Sequence, residues 1–290
     1  MGSGAKMFNC TNSSDCVAPR DFFGYAKSQL FNYKCGAVES TSELIANKET
    51  GRAKDVIFTG AGVNNSMLSA DKYGEAHFLK GTDNIFGYFL NSPNQTIVGY
   101  GPTADISSIV DYYNSSGVAP GITSDKLFQI NRLSWFSGAM GNVLIGAYDF
   151  ATTGKTEVKP WTIKGVLVPN QYNYLTSRGI TRKWVSGYEW NDTTKLLGSY
   201  EYVVRGDKFA EPGVGIYKNF GEWDALFKVS GKSLSWANWE TSISKRLNKN
   251  WKLTATAYVW DSRSLLGERN SLQLKDNKTS QTSFSAVYEY

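Results

Sequence analysis

The sequence predicts an all-β protein, a transmembrane antiparallel β-barrel with a short N-terminal helix. Segments of about ten residues alternate apolar and polar side chains, as a wall between lipid and water requires. Tryptophans stand near the ends of these segments, where interfacial aromatic girdles belong. No apolar run approaches the roughly 18 to 20 residues needed to cross a bilayer as a helix. The 290 residues include 9 Trp, 17 Tyr, 15 Phe and 28 Gly, yet the mean hydropathy is only −0.36. A wall one residue thick averages to neither oily nor soluble. A soluble sandwich alternates too, but its strands run to about five or six residues.

The chain reads as one barrel, residues 34–290, preceded by an N-terminal segment, residues 1–33. In that segment Pro19 at a helix start and the spacing of Phe22, Phe23, Ala26 and Leu30 predict a short amphipathic helix within 14–33. Strands are expected at 54–62, 84–91, 141–151, 155–168 and 180–190, each bounded by Gly, Asn or Asp. Residues 101–125 carry Ile106, Ile109, Val110 and Tyr113 at helical spacing and read as a long loop with a short helix. Downstream the alternation sharpens. Leu196, Gly198, Tyr200, Tyr202 and Val204 share one face against Ser199, Glu201 and Arg205, and Trp223, Ala225, Phe227 and Val229 oppose Asp224 and Lys228. The segment 239–247, a turn at Asn248-Lys249-Asn250 and the segment 251–260 form a hairpin, with Trp251, Leu253, Ala255, Ala257 and Val259 on one face. At about ten residues per strand, roughly 16 to 19 strands fit, enough to enclose water.

The net charge of +5 is spread along the chain without a basic block, which argues against a nucleic-acid partner. Cys10, Cys16 and Cys35 lack zinc spacing and read as free thiols, with a Cys10–Cys16 pair left open. The first residues, Met1 to Lys6, show no secretory signal pattern. His77 is the single histidine and has no nucleophile or second ligand at useful spacing, so no enzyme, metal or cofactor is expected and His77 reads as a polar residue of a strand or loop. Gly60-Ala61-Gly62 reads as a strand-terminal turn, and Glu43, Glu49, Glu222 and Asp224 as solvated loop acids.

The C-terminus, Ser283-Phe-Ser-Ala-Val-Tyr-Glu-Tyr290, resembles the terminal sorting strand of outer-membrane barrels, with Ser283, Phe284, Ser285, Tyr288 and Tyr290 carrying the likeness. Serine stands at Ser285 where the mitochondrial version has Gly. Ala18-Pro-Arg-Asp-Phe-Phe23, the stretch Val56-Ile-Phe-Thr-Gly60 and the hairpin 244–257 are similar to the mitochondrial porins, the voltage-dependent anion channels. The matches cover about a fifth of the chain, and that family's Gly-Leu-Lys nucleotide-contact motif is absent.

The resemblance implies a passive aqueous channel for small metabolites and ions in the mitochondrial outer membrane, with the N-terminal segment 1–33 inside the pore and membrane lipid as its surroundings. Basic residues facing the pore would bias it weakly towards anions. The candidates are Arg20 and Lys27 on the N-terminal helix and Lys164, Arg205, Lys228, Arg246 and Lys252 on inward strand faces. Two alternatives stand beside it: a bacterial outer-membrane porin, and a structural or protein-translocating barrel that works with other subunits of a membrane complex.

Overall fold

The computed structural model describes residues 5–9, 36–40, 60–82, 84–98, 104–233, 237–248, 251–261, 264–266 and 278–288. The chain divides into two units, Met1–Asp55 and Val56–Tyr290. In the first, β1 (Ala5–Asn9) pairs antiparallel with β2 (Gly36–Ser40), Ala5 opposite Ser40. The expected helix within 14–33, and with it Arg20 and Lys27, lies outside the described residues, as do residues 54–59.

The second unit opens with helices where the sequence reading expected strands. They are α1 (Ala61–Lys80), α2 (Ile85–Asn91), α3 (Pro93–Val98), α4 (Ala104–Ser115), α5 (Ser124–Arg132) and α6 (Gly138–Thr153). The strands expected at 84–91 and 141–151 are thus α2 and α6, and residues 60–62 begin α1 instead of ending a strand. Local chemistry explains both corrections. Asn84 caps α2, its Oδ1 accepting from the amides of Phe86 and Gly87 at 2.9 and 3.1 Å. Gly154, at φ 71°, ends α6 in the left-handed conformation, and its amide donates to the Phe150 carbonyl. The helix expected within 101–125 is α4, and its Ile106, Ile109 and Tyr113 are buried.

One antiparallel sheet of ten strands follows. Residues 155–168 contribute only β3 (Thr162–Ile163) and β4 (Val166–Leu167) to it, in place of one long strand. Next come β5 (Asn170–Thr176), β6 (Gly179–Asn191), β7 (Thr194–Gly206), β8 (Ala210–Asn219), β9 (Trp223–Ser230), β10 (Asn238–Arg246), β11 (Trp251–Asp261) and β12 (Lys278–Tyr288). From β6 to β12 each strand pairs with its neighbour in sequence, so this part is a meander; β5 pairs with β6. Among the described residues the sheet is an open path from β12 to β3, and they hold fewer strands than the roughly 16 to 19 expected.

The main apolar core joins α1 and α4 to the first strands. Met67, Ala70, Ile106, Ile109 and Tyr113 pack with Tyr172, Leu175, Ile180 and Val185, all nearly inaccessible. Asn64 fixes α1 to β5 by bonding both the carbonyl and the amide of Leu175, at 2.7 and 2.8 Å.

Candidate functional site

Residues directly opposite each other in an antiparallel pair share a face, so the pairing assigns each side chain of the meander to one of two faces. On one face stand Tyr188, Tyr200, Val214, Ile216, Phe227, Trp239, Ile243, Leu253 and Phe284, all exposed. On the other stand Lys183, Glu201, Glu211, Lys228, Glu240, Asp224, Lys252, Thr254 and Thr256. A water-soluble sheet packed on one side turns its apolar face inward. Here an apolar face is open, and the face that carries a helix mixes these charged groups with Val185, Leu197, Tyr217 and Leu226.

That helix is α1, held against the strands by Phe78 and Leu79 packed with Leu197 and Tyr217 and by a set of ion pairs. Lys72 Nζ lies 2.6 Å from Glu240, Lys228 Nζ lies 2.7 Å from both Glu75 and Glu240, and Lys183 Nζ lies 2.5 Å from Asp71. Positive and negative groups therefore alternate from helix to strand. Further along, Asp224 accepts from Lys252 at 2.8 Å and from Lys80 at 3.2 Å, and Lys195 donates to the Phe78 carbonyl at 2.7 Å. Burial alone would raise the Asp71 carboxyl, but the Lys183 ammonium and the more distant Lys228 and Lys72 hold it below the ordinary carboxylate range. A cavity of about 610 Å³ lies between α1 and the strands, lined by Asp71, Glu75, Glu201, Glu211, Lys228 and Trp260 among others.

Of the basic residues singled out in the sequence, Lys228 and Lys252 are on the helix-facing side of the sheet. Both are matched by carboxylates. Arg246 stands opposite Lys252 and so shares its face, but it is exposed near a strand end. Arg205 is exposed beside a register irregularity opposite Ile180, and Lys164 occupies the turn between β3 and β4 at φ 51°. The structure therefore does not gather the five into one cluster. Asp224 is a paired strand residue, not a solvated loop acid. Sequence reasoning missed Asp71, Lys72 and Glu75, whose i, i+1, i+4 spacing puts them on one side of α1.

The end of the sheet where β6 meets β7, β8 meets β9 and β10 meets β11 carries Trp190, Phe220, Trp223 and Trp251, all exposed. Lys245 sits 5.0 Å from the Trp223 ring and Lys218 5.8 Å from the Phe220 ring. An aromatic row flanked by lysines suits a membrane–water boundary. In the sorting-strand likeness, Ser283, Phe284, Ser285 and Tyr288 belong to β12, with Tyr288 opposite Trp251; Tyr290 lies outside the described residues.

His77 is in α1, buried, not in a strand or loop. Its Nδ1 lies 3.0 Å from Thr82 Oγ1 and its ring 4.4 Å from Tyr88. Burial and the nearby Lys195 charge lower its pKa to about 4. Among the described residues no group of three His, Cys, Asp or Glu side chains is placed to hold a metal ion, and no described helix is long and apolar enough to cross a membrane. Comparison with protein-family models, curated proteins and solved structures finds no match to this chain.

Proposed function

We propose that this chain is a passive aqueous channel of the outer-membrane β-barrel type, with β6–β12 forming part of a membrane wall and α1 resting against its water-facing side. The observation that carries this reading is the open apolar face of the sheet, set opposite a side on which charged groups are buried. Exposing Trp239, Phe227, Ile216, Leu253 and Phe284 to water while burying Lys228, Glu240 and Glu75 costs free energy twice over. Lipid outside and a hydrated lumen inside remove both costs. Strands of 13 residues in β6 and β7 and 11 in β11 are long enough to cross a bilayer when tilted. Small metabolites and ions are the proposed solutes. The mitochondrial outer membrane is the proposed location, on the resemblance of the terminal strand and hairpin, with a bacterial outer membrane as the alternative. Any anion bias falls to basic residues other than Lys228 and Lys252, whose charges are matched.

A second reading, a structural or protein-translocating barrel working with other subunits, is favoured by one feature: the ion pairs that clamp α1 across the polar face. Single-channel recording in a planar bilayer separates the two. Stepwise conductance from verified insertions supports the channel. A silent bilayer with verified insertion eliminates it and leaves the structural barrel.

A further inference from the structure

An open apolar face also occurs on α6, where no strand is involved. This helix turns its small and polar residues inward: Gly138, Ala139, Asn142 and Gly146 are buried. Asn142 is held there by two bonds, donating to Tyr88 Oη at 2.8 Å and accepting from the Trp161 amide at 2.6 Å. The glycines are needed for contact, because a Cβ at Gly138 would meet the Val168 carbonyl and one at Gly141 the Trp161 ring. Its large apolar residues face out instead. Leu144 is 66% exposed and Tyr148 68%, and Phe136 just before the helix is 88% exposed. Phe150 continues this surface onto α2 through an edge-to-face contact with Phe86 at 5.9 Å.

We infer that the outward face of α6 lies in the headgroup–acyl boundary of a lipid bilayer, as an interfacial helix beside the β-wall. Three observations select lipid over a protein partner. The face is continuous with the apolar side of the sheet, because Trp161 packs on Gly141 and leads into the β3–β4 hairpin, whose Val166 stands opposite Tyr188. The junction is built from Trp161, Tyr188 and Trp190, the residue types that favour the bilayer boundary. Asp149 is the one charged residue from 137 to 154, after which Lys155, Glu157 and Lys159 follow in quick succession. Sixteen residues extend about 24 Å at about 1.5 Å each, short of the roughly 30 Å hydrocarbon core, so the helix lies along the surface and does not span.

The inference rests on the membrane reading for its orientation, and one labelling experiment keeps the two apart. With Cys10, Cys16 and Cys35 replaced by Ser, an environment-sensitive fluorophore is attached after Leu144→Cys, Tyr148→Cys, Thr153→Cys or Phe227→Cys, and each protein is reconstituted into phosphatidylcholine vesicles. These positions are all exposed, and far-UV circular dichroism checks that the fold is retained. Labels at 144 and 148 are expected to lose at least half their emission to a lipid carrying a shallow spin label and to be shielded from aqueous iodide, while 153 is quenched by iodide. Iodide access at 144 and 148 equal to that at 153 overturns the interfacial helix, even if 227 is quenched by deep-labelled lipid. Shielding of 144 and 148 from both quenchers also overturns it, since that is the signature of a protein partner. If 227 is open to iodide while 144 and 148 are lipid-quenched, the helix assignment stands and the β-wall reading falls.

Discussion

His77 shows how much a single neutral side chain can set the acid tolerance of this fold. In the unfolded chain an imidazole binds a proton near pH 6.5, whereas the buried ring beside Lys195 resists protonation until about pH 4. The folded-state pKa is depressed, so the contribution to stability is complete above pH 6.5 and is lost as pH falls towards 4. At full extent the difference corresponds to about 3 kcal/mol. The apparent Tm in detergent should therefore fall between pH 6.5 and 4.5, and His77→Gln should flatten that slope; an unchanged slope would mean that other groups carry the acid sensitivity. Glycines on the two faces of the sheet give a second residue-scale test. A Cβ at Gly187 would collide with the Phe78 ring and the Leu196 carbonyl, whereas one at Gly198, in the adjoining strand, meets nothing within 4 Å. Gly187→Ala is expected to destabilise by about 2 kcal/mol, and Gly198→Ala to stay within about 0.5 kcal/mol of wild type, both read from thermal unfolding.

Among the elements, α1 depends on charge for its seat on β9 and β10. Lys228→Met would leave Glu75 and Glu240 facing each other with Lys72 as the ammonium that remains beside them among the described residues, a loss expected to cost about 3 kcal/mol. Adding Glu75→Gln to Lys228→Met should recover part of that loss in the same unfolding assay, because it removes the stranded carboxylate. Lys228 was legible in the sequence because strict alternation with Trp223, Ala225, Phe227 and Val229 fixed its face. Its helix partner was not legible, since Glu75 lies 153 residues away and a charged stripe on a helix reads as a solvated surface. The same limit accounts for α2 and α6. Ile85-Phe-Gly-Tyr-Phe-Leu90 is a short apolar run that suits a strand as well as a buried helix, and only the cap at Asn84 decides between them. In α6 the glycine spacing records contacts with Trp161, Val168 and Ile85 that come from distant parts of the chain. Where strands are long and two-faced, the pattern alone located β6, β7, β9, β10 and β11 within a few residues, but it passed over β8, whose Pro212, Gly213 and Gly215 interrupt the alternation.

For the whole molecule, the exposed apolar face predicts that solubility depends on amphiphile: dilution below the critical micelle concentration should precipitate the protein, and a monodisperse, detergent-free monomer on size exclusion would contradict the membrane reading. The open face and the charged face also impose an order of assembly. Pairings from β6 to β12 each join neighbours in sequence, so the meander can zip up hairpin by hairpin. The bonds that seat α1 instead span 112, 153 and 168 residues. Loop closure over such distances is deferred until the strands stand in place. The helix then docks late, and its ion pairs are absent from the rate-limiting barrier. In stopped-flow refolding, Lys228→Met should leave the folding rate close to wild type and accelerate unfolding, so the clamp sets how long the native state lasts and not how quickly it forms.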